Sequence, residues 1–129
     1  MNVVADTNIF LAVALNEPKK EWIVGVTSGY DAISPQILPY EIGNALTAMV
    51  KRGRILKEDV LLIYEITQEI PVNLIAVDIK SALEIATQFN IYAYDAYFLQ
   101  SALSMNCPLI TLDNKMKEVA TSLNIKILE

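Results

Sequence analysis

Four acidic side chains in this sequence stand where an apolar or neutral residue would be expected, or directly at the end of an apolar run. Asp6 follows Val3-Val4-Ala5 and precedes Thr7-Asn8. Glu41 falls on the helical line Ile37, Glu41, Ala45, Ala48, which is otherwise apolar, beside Leu38 and Ile42. Asp95 shares a helical stripe with Phe98, Leu99 and Ala102, and Asp113 follows Leu109-Ile110-Thr111-Leu112. Each has an ordinary structural explanation. Asp6 and Asp113 suit helix N-caps, and Asp95 suits a first helical turn, where the dipole favours an acid. Glu41 would need a cationic partner, yet Lys51 and Arg52 lie more than two turns away. A buried carboxylate without a partner costs several kcal/mol. Taken together, clustered carboxylates repel one another and favour a hard divalent cation held through oxygen, so Mg2+ or Mn2+ is the expected occupant.

Composition removes competing chemistries. The chain has no histidine, which excludes Ser-His-Asp triads, histidine zinc sites and histidine acid–base catalysis. Its single cysteine, Cys107, cannot form an intrachain disulfide and reads as a small buried hydrophobe. With 129 residues, 53% of them apolar and 19% charged, the expectation is one folded domain over 1–129, neither disordered nor low in complexity. The net charge of −5 makes it a poor generic binder of polyanions, so a nucleic-acid ligand would need local basic patches or bound cations. Setting aside the four acids leaves the rest of the chain nearly neutral. No apolar run reaches the length of a membrane span, and no basic region leads into an apolar one at the N-terminus, so a soluble, cytoplasmic protein is expected.

The elements that must position these acids alternate in type. Short apolar strands are expected at Asn2–Ala5, Ala32-Ile33, Val72–Val77, Pro108–Leu112 and Ile125–Leu128. Helical patterns cover Phe10–Leu15, Lys19–Val26, Lys57–Glu69 and Tyr94–Met105, with a short helix starting at Asp113. A further helix enters at Ser34-Pro35, runs to about Lys51 and stops at Gly53. Another is capped by Asp78, reaches Phe89 and closes on a left-handed Asn90. The alternation predicts an α/β fold: a mostly parallel central sheet of four to five short strands with helices on both faces. Ligands of such folds bind beyond the carboxyl ends of the strands, where Asp6 and Asp113 would lie.

The residues and their order resemble the PIN domain, a family of metal-dependent ribonucleases, and within it the VapC-type toxins of toxin–antitoxin pairs. The matching pieces are Val-Val-Ala-Asp-Thr-Asn at 3–8, Tyr-Glu-Ile-Gly-Asn-Ala-Leu at 40–46, Tyr-Asp-Ala-Tyr-Phe-Leu-Gln-Ser-Ala at 94–102 and Ile-Thr-Leu-Asp-Asn-Lys-Met at 110–116. Together they span essentially the whole chain. The resemblance implies a PIN-like fold and carries the family's acidic residues over to Asp6, Glu41, Asp95 and Asp113, as catalytic and metal-holding groups. Asn8 and Thr111 match the polar residues that fix those carboxylates. It implies an endoribonuclease that uses Mg2+ or Mn2+ and leaves 5′-phosphate and 3′-hydroxyl ends. Gln100-Ser101 is more polar than the family's usual pair, and the chain has no basic tail.

An RNA substrate needs positive charge. Lys51, Arg52, Arg54 and Lys57 form the densest basic cluster, although cations there also suit a helix C-terminus; Lys115 and Lys117 lie just past Asp113. Arg52, Arg54 and Lys115 are therefore the candidate RNA contacts. A homodimer and a cognate antitoxin protein are the implied partners. Ile9, Phe10, Trp22, Ile63 and Tyr64 are candidates for exposed or interfacial apolar surface. Rival readings are a catalytically silent PIN-like binding module, a haloacid-dehalogenase-type phosphatase and a receiver domain. The phosphatase wants a second aspartate where Asn8 stands, and the receiver wants a phosphoacceptor after a middle strand, for which Asp78 is a poor match.

Overall fold

The computed structural model describes residues 1–129. Strand β1 (Asn2–Ala5) is an apolar run with Val3, Val4 and Ala5 all buried, as a strand covered on both faces requires. It pairs in parallel with β2 (Asp31–Pro35) on one side and β4 (Leu109–Ile110) on the other, and β2 pairs in parallel with β3 (Asn73–Ile75). The sheet order is β3-β2-β1-β4.

Seven α-helices fill the connections: α1 (Thr7–Ala14), α2 (Lys20–Val26), α3 (Leu38–Lys51), α4 (Val60–Gln68), α5 (Ile79–Phe89), α6 (Ala93–Met105) and α7 (Asn114–Ser122). From β1 to β3 the chain steps steadily in one direction, then returns past β1 to lay down β4. Right-handed crossovers turn that reversal into a change of face, with α1 to α4 on one side of the sheet and α5 and α6 on the other. Accordingly α1 packs on α2, α3 and α4, while α5 packs on α6 and α6 on β1 and β2. The reversal point falls between β1 and β4, so the crevice of the sheet opens beyond the carboxyl ends of those two strands. Beneath it lies one cluster of 28 buried apolar residues that includes Val4, Ile33, Phe98 and Leu109. No helix is long and apolar enough to cross a membrane.

The α/β architecture agrees with the sequence reading; several element ends do not. Ser34 and Pro35 belong to β2 instead of opening α3, and the Ser34 hydroxyl donates to the Ala5 carbonyl at 2.7 Å, tying β2 to β1. The proline that starts α3 is Pro39. The strand expected at 72–77 shortens to Asn73–Ile75, and the one expected at 125–128 shrinks to a single bridge between Leu109 and Ile127. Helix α4 is preceded by one turn of 3-10 helix at Lys57–Asp59. Asp78 and Asn90 do cap α5, Asn90 at φ 53°, and Gly53 sits at φ 71° just past α3. Asn16, Asn106 and Asn124 take the same left-handed backbone as Asn90, conformations that asparagine tolerates better than most residues.

The apolar surface also lies elsewhere than expected. Ile9, Phe10 and Ile63 are buried core residues, and Trp22 and Tyr64 are half-buried against the core. A helix periodicity identifies an apolar face but not which face meets the sheet and which meets solvent. The exposed large apolar side chains instead include Leu56, Leu61 and Leu62 around the start of α4, Leu74 on β3 and Ile79 and Leu83 on α5.

Candidate active site

Asp6 is the first residue after β1. Its backbone N–H donates to the Ile110 carbonyl at 3.1 Å, continuing the β1–β4 ladder by one step. Its side chain caps α1 and is buried. One carboxylate oxygen accepts from the Thr7 N–H at 2.8 Å, and the other accepts from the Thr111 hydroxyl at 2.8 Å. Thr111 is fully buried just past β4 and also accepts from the Asp113 N–H at 3.0 Å. One hydroxyl therefore links the two strand-end aspartates. Asp113 caps α7, accepting from the N–H groups of Lys115 at 2.8 Å and Met116 at 3.2 Å.

Glu41 and Asp95 reach the same neighbourhood from the first turns of α3 and α6. Both are half-buried. The fully buried stripe of α3 is Leu38, Ile42, Leu46 and Met49, so Glu41 flanks the buried face and stands at its rim.

The electrostatics report a crowded set of acids. Burial pushes the Asp6 carboxyl from 3.8 up to about 6, against the lowering effect of its bonds to Thr111 and Thr7; the charges of Asp95 and Asp113 raise it further. Glu41 is raised by burial and then by Asp95, and Asp95 by burial and then by Asp113. No cation relieves them, because the molecule's single ion pair is Lys115 with Glu118, at 3.9 Å on the surface. The Thr7 hydroxyl, buried next to Asp6 in the chain, has no hydrogen-bond partner at all.

A profile of the PIN domain matches residues 3–122. The chain belongs to the PIN domain family. PIN domains are generally nucleases. Among solved structures, similar folds include PAE2754 of Pyrobaculum aerophilum, with a TM-score of 0.70 and 18% identity over 92% of this chain and 79% of that one. A second is the VapBC2 complex of Rickettsia felis, bound to a DNA fragment from its promoter, with a TM-score of 0.70 and 16% identity over 98% of this chain and 97% of that one. At these identities the likeness concerns the fold. No curated protein matches the sequence.

The PIN fold thus brings Asp6, Glu41, Asp95, Asp113 and Thr111 to one end of the sheet. Their donor set suits a hard divalent cation: carboxylate oxygens that raise one another's pKa and have no ammonium or guanidinium partner. No three of them converge closely enough to enclose a single ion, as mutual repulsion favours. The fit is therefore one of chemistry and neighbourhood, not of a closed cage. Asn8 is exposed, and both carboxylate oxygens of Asp6 are engaged by Thr7 and Thr111 instead. Arg52 and Arg54 are exposed beyond the far end of α3, which at 1.5 Å per residue sets Arg52 about 16 Å along the axis from Glu41. Lys115 is exposed in the first turn of α7, next to Asp113. The sequence reading missed Thr7, whose only signal was its place directly after Asp6.

Proposed function

We propose that this protein is a metal-dependent endoribonuclease, the toxin of a toxin–antitoxin pair, cutting RNA to 5′-phosphate and 3′-hydroxyl ends. The observation that carries the reading is a buried Asp6 held near pKa 6, repelled by Asp95 and Asp113 and facing no cation of the protein. Asp6, Glu41, Asp95 and Asp113 would hold Mg2+ or Mn2+. Such an ion supplies Lewis acidity toward phosphate oxygens and a source of hydroxide at neutral pH. Thr111 fixes the Asp6 carboxylate from one side and the Thr7 N–H from the other, so this aspartate meets its ligand already oriented. The absence of histidine argues against attack by the RNA 2′-hydroxyl, which relies on an acid–base pair, and supports hydrolysis by water. Lys115, exposed beside Asp113 and in a surface ion pair with Glu118, would meet a phosphate there, and Arg52 and Arg54 would meet a strand that runs the length of α3. A homodimer in the cytoplasm completes the reading, with a small antitoxin protein as partner, which the likeness to a chain from a VapBC complex supports.

The test is cleavage of a structured RNA panel by the wild type and Asp6→Asn, each with Mg2+, with Mn2+ and with EDTA, with mapped product ends. Metal-dependent cutting to 5′-phosphates that the variant lacks is expected. Cutting that persists in EDTA overturns the mechanism. No cutting, together with no effect of Mn2+ on thermal stability, leaves a PIN-like binding module.

A further inference from the structure

Five hydroxyl side chains are buried in this molecule, and four of them are satisfied within the fold. Ser34 donates to the Ala5 carbonyl, Thr67 to the Tyr64 carbonyl, Ser101 to the Tyr97 carbonyl and Thr111 to the Asp6 carboxylate. The fifth, Thr7, has no partner, and its hydroxyl is the molecule's only buried side-chain polar atom of that kind. Its place in the chain explains why. A threonine inside a helix bonds the carbonyl three or four residues back, as Thr67 does in α4. Thr7 is the first residue of α1, so those carbonyls belong to Val4 and Val3 in the β1 ladder. A buried donor without an acceptor forfeits its bonds to water and gains none in return. Valine has the same shape and a similar helix propensity, so the hydroxyl, and not the side chain's bulk, weakens the metal-free protein.

Thr7 is already tied to the carboxylate cluster. Its N–H donates to one Asp6 oxygen at 2.8 Å, and standard bond lengths keep its hydroxyl oxygen within about 4 Å of that nitrogen. Hydroxyl and carboxylate therefore share one small space without bonding each other. The residue is 7% exposed, and the hydroxyl contributes almost none of that. Threonine populates two χ1 rotamers in helices, so the hydroxyl exchanges places with the methyl without any backbone movement. The fold supplies it no acceptor. A hard cation held by Asp6 would supply several, because such ions keep waters and collect phosphate oxygens. We propose that Thr7 is a positioning residue for the cation of this site: on occupancy its hydroxyl turns out of its sealed position and donates to an oxygen that the cation brings, a water or a phosphate oxygen. This rests on the cation-holding part of the reading above and not on RNA cleavage.

Thr7→Val and Thr7→Ser are compared with the wild type by Tm in EDTA and by calorimetric titration with Mn2+, alone and with inorganic phosphate present. In EDTA the valine variant should melt roughly 3 °C or more above the wild type, since it removes an unsatisfied buried donor. Its Mn2+ affinity should nonetheless fall by about two- to tenfold, the span of one hydrogen bond. Thr7→Ser keeps the hydroxyl and should bind Mn2+ like the wild type. A merely structural role would not move stability and affinity in opposite directions. A loss seen with Mn2+ alone assigns the acceptor to a water of the cation, and a loss seen only with phosphate assigns it to phosphate; either upholds the role. A valine variant less stable than the wild type in EDTA, or as tight for Mn2+ in both titrations, overturns it, as does a serine variant as weak as valine. A wild type that binds no Mn2+ overturns the cation reading and Thr7's role with it. Mn2+ binding that depends on Thr7 without any RNA cleavage upholds the role and overturns the nuclease reading alone.

Discussion

At the residue scale, Asp6 works against the stability of the metal-free protein. Its carboxyl titrates near 6 when folded and at 3.8 ordinarily. Between those values the folded chain keeps a proton that the unfolded chain has released, so stability falls as pH rises through that window and stays reduced above it. A shift of that size corresponds to roughly 3 kcal/mol. In EDTA at pH 7, Asp6→Asn should therefore be more stable than the wild type by about 2 kcal/mol, after roughly 1 kcal/mol is deducted for a disturbed hydrogen bond. Urea melts should show this gain vanish as the pH approaches 4. Added Mn2+ should raise the wild-type Tm, by about 2.7 kcal/mol of stability at a hundred times its Kd, and leave the variant almost unmoved. An equal response of both would remove Asp6 from the metal site. Thr111→Val strips a bond from Asp6 and an acceptor from the Asp113 N–H. The expected cost is about 2–3 kcal/mol, with the Asp6 pKa rising further in an NMR titration because a lowering bond is gone.

At the scale of elements, Asp113 has two tasks that substitutions separate. It caps α7 through Lys115 and Met116, and it contributes charge to the cluster. Asp113→Asn keeps the cap and loses the charge; Asp113→Ala loses both. The alanine variant should cost about 1 kcal/mol of stability more than the asparagine variant, while RNA cleavage falls similarly in the two. Equal stability would mean that the cap contributes nothing to α7. The N-caps at Asp6 and Asp113 were legible in the sequence, because an acid between an apolar run and a helical pattern is a local capping signal whatever else it does. The start of α3 was not: Ser34-Pro35 carries an entry signal as good as Pro39, and it is pairing opposite Leu74 and Ile75 on β3, with the Ser34 hydroxyl bond to Ala5 on β1, that keeps it in the sheet.

At the scale of the whole molecule, the homodimer proposal turns on the exposed leucines of α4 in a chain of net charge −5. Leu61 is 75% and Leu62 57% exposed, beside a groove of about 440 Å3 between α3 and α4 lined by Val50, Lys51, Lys57 and Val60. Apolar surface of this kind marks association sites. Sedimentation equilibrium should find a dimer, and Leu61→Glu should shift it toward monomer without lowering Tm by more than a few degrees. A wild-type monomer at micromolar concentration would end the homodimer proposal.

The sequence alone determined the class of fold, because strand-length apolar runs alternating with helical periodicities leave few arrangements other than a layered parallel sheet. It also narrowed the chemistry on offer, because a chain without histidine leaves carboxylates, lysines, hydroxyls, one cysteine or a bound metal as its reactive groups. Helix caps were local enough to read, as at Asp78 and Asn90. The tertiary structure decided what depends on residues distant in the chain. It placed Ile9, Phe10 and Ile63 in the core and joined Thr111 to Asp6 across 105 residues. Periodicity fixes which side chains share a face, whereas burial and hydrogen bonding depend on what the fold packs against that face.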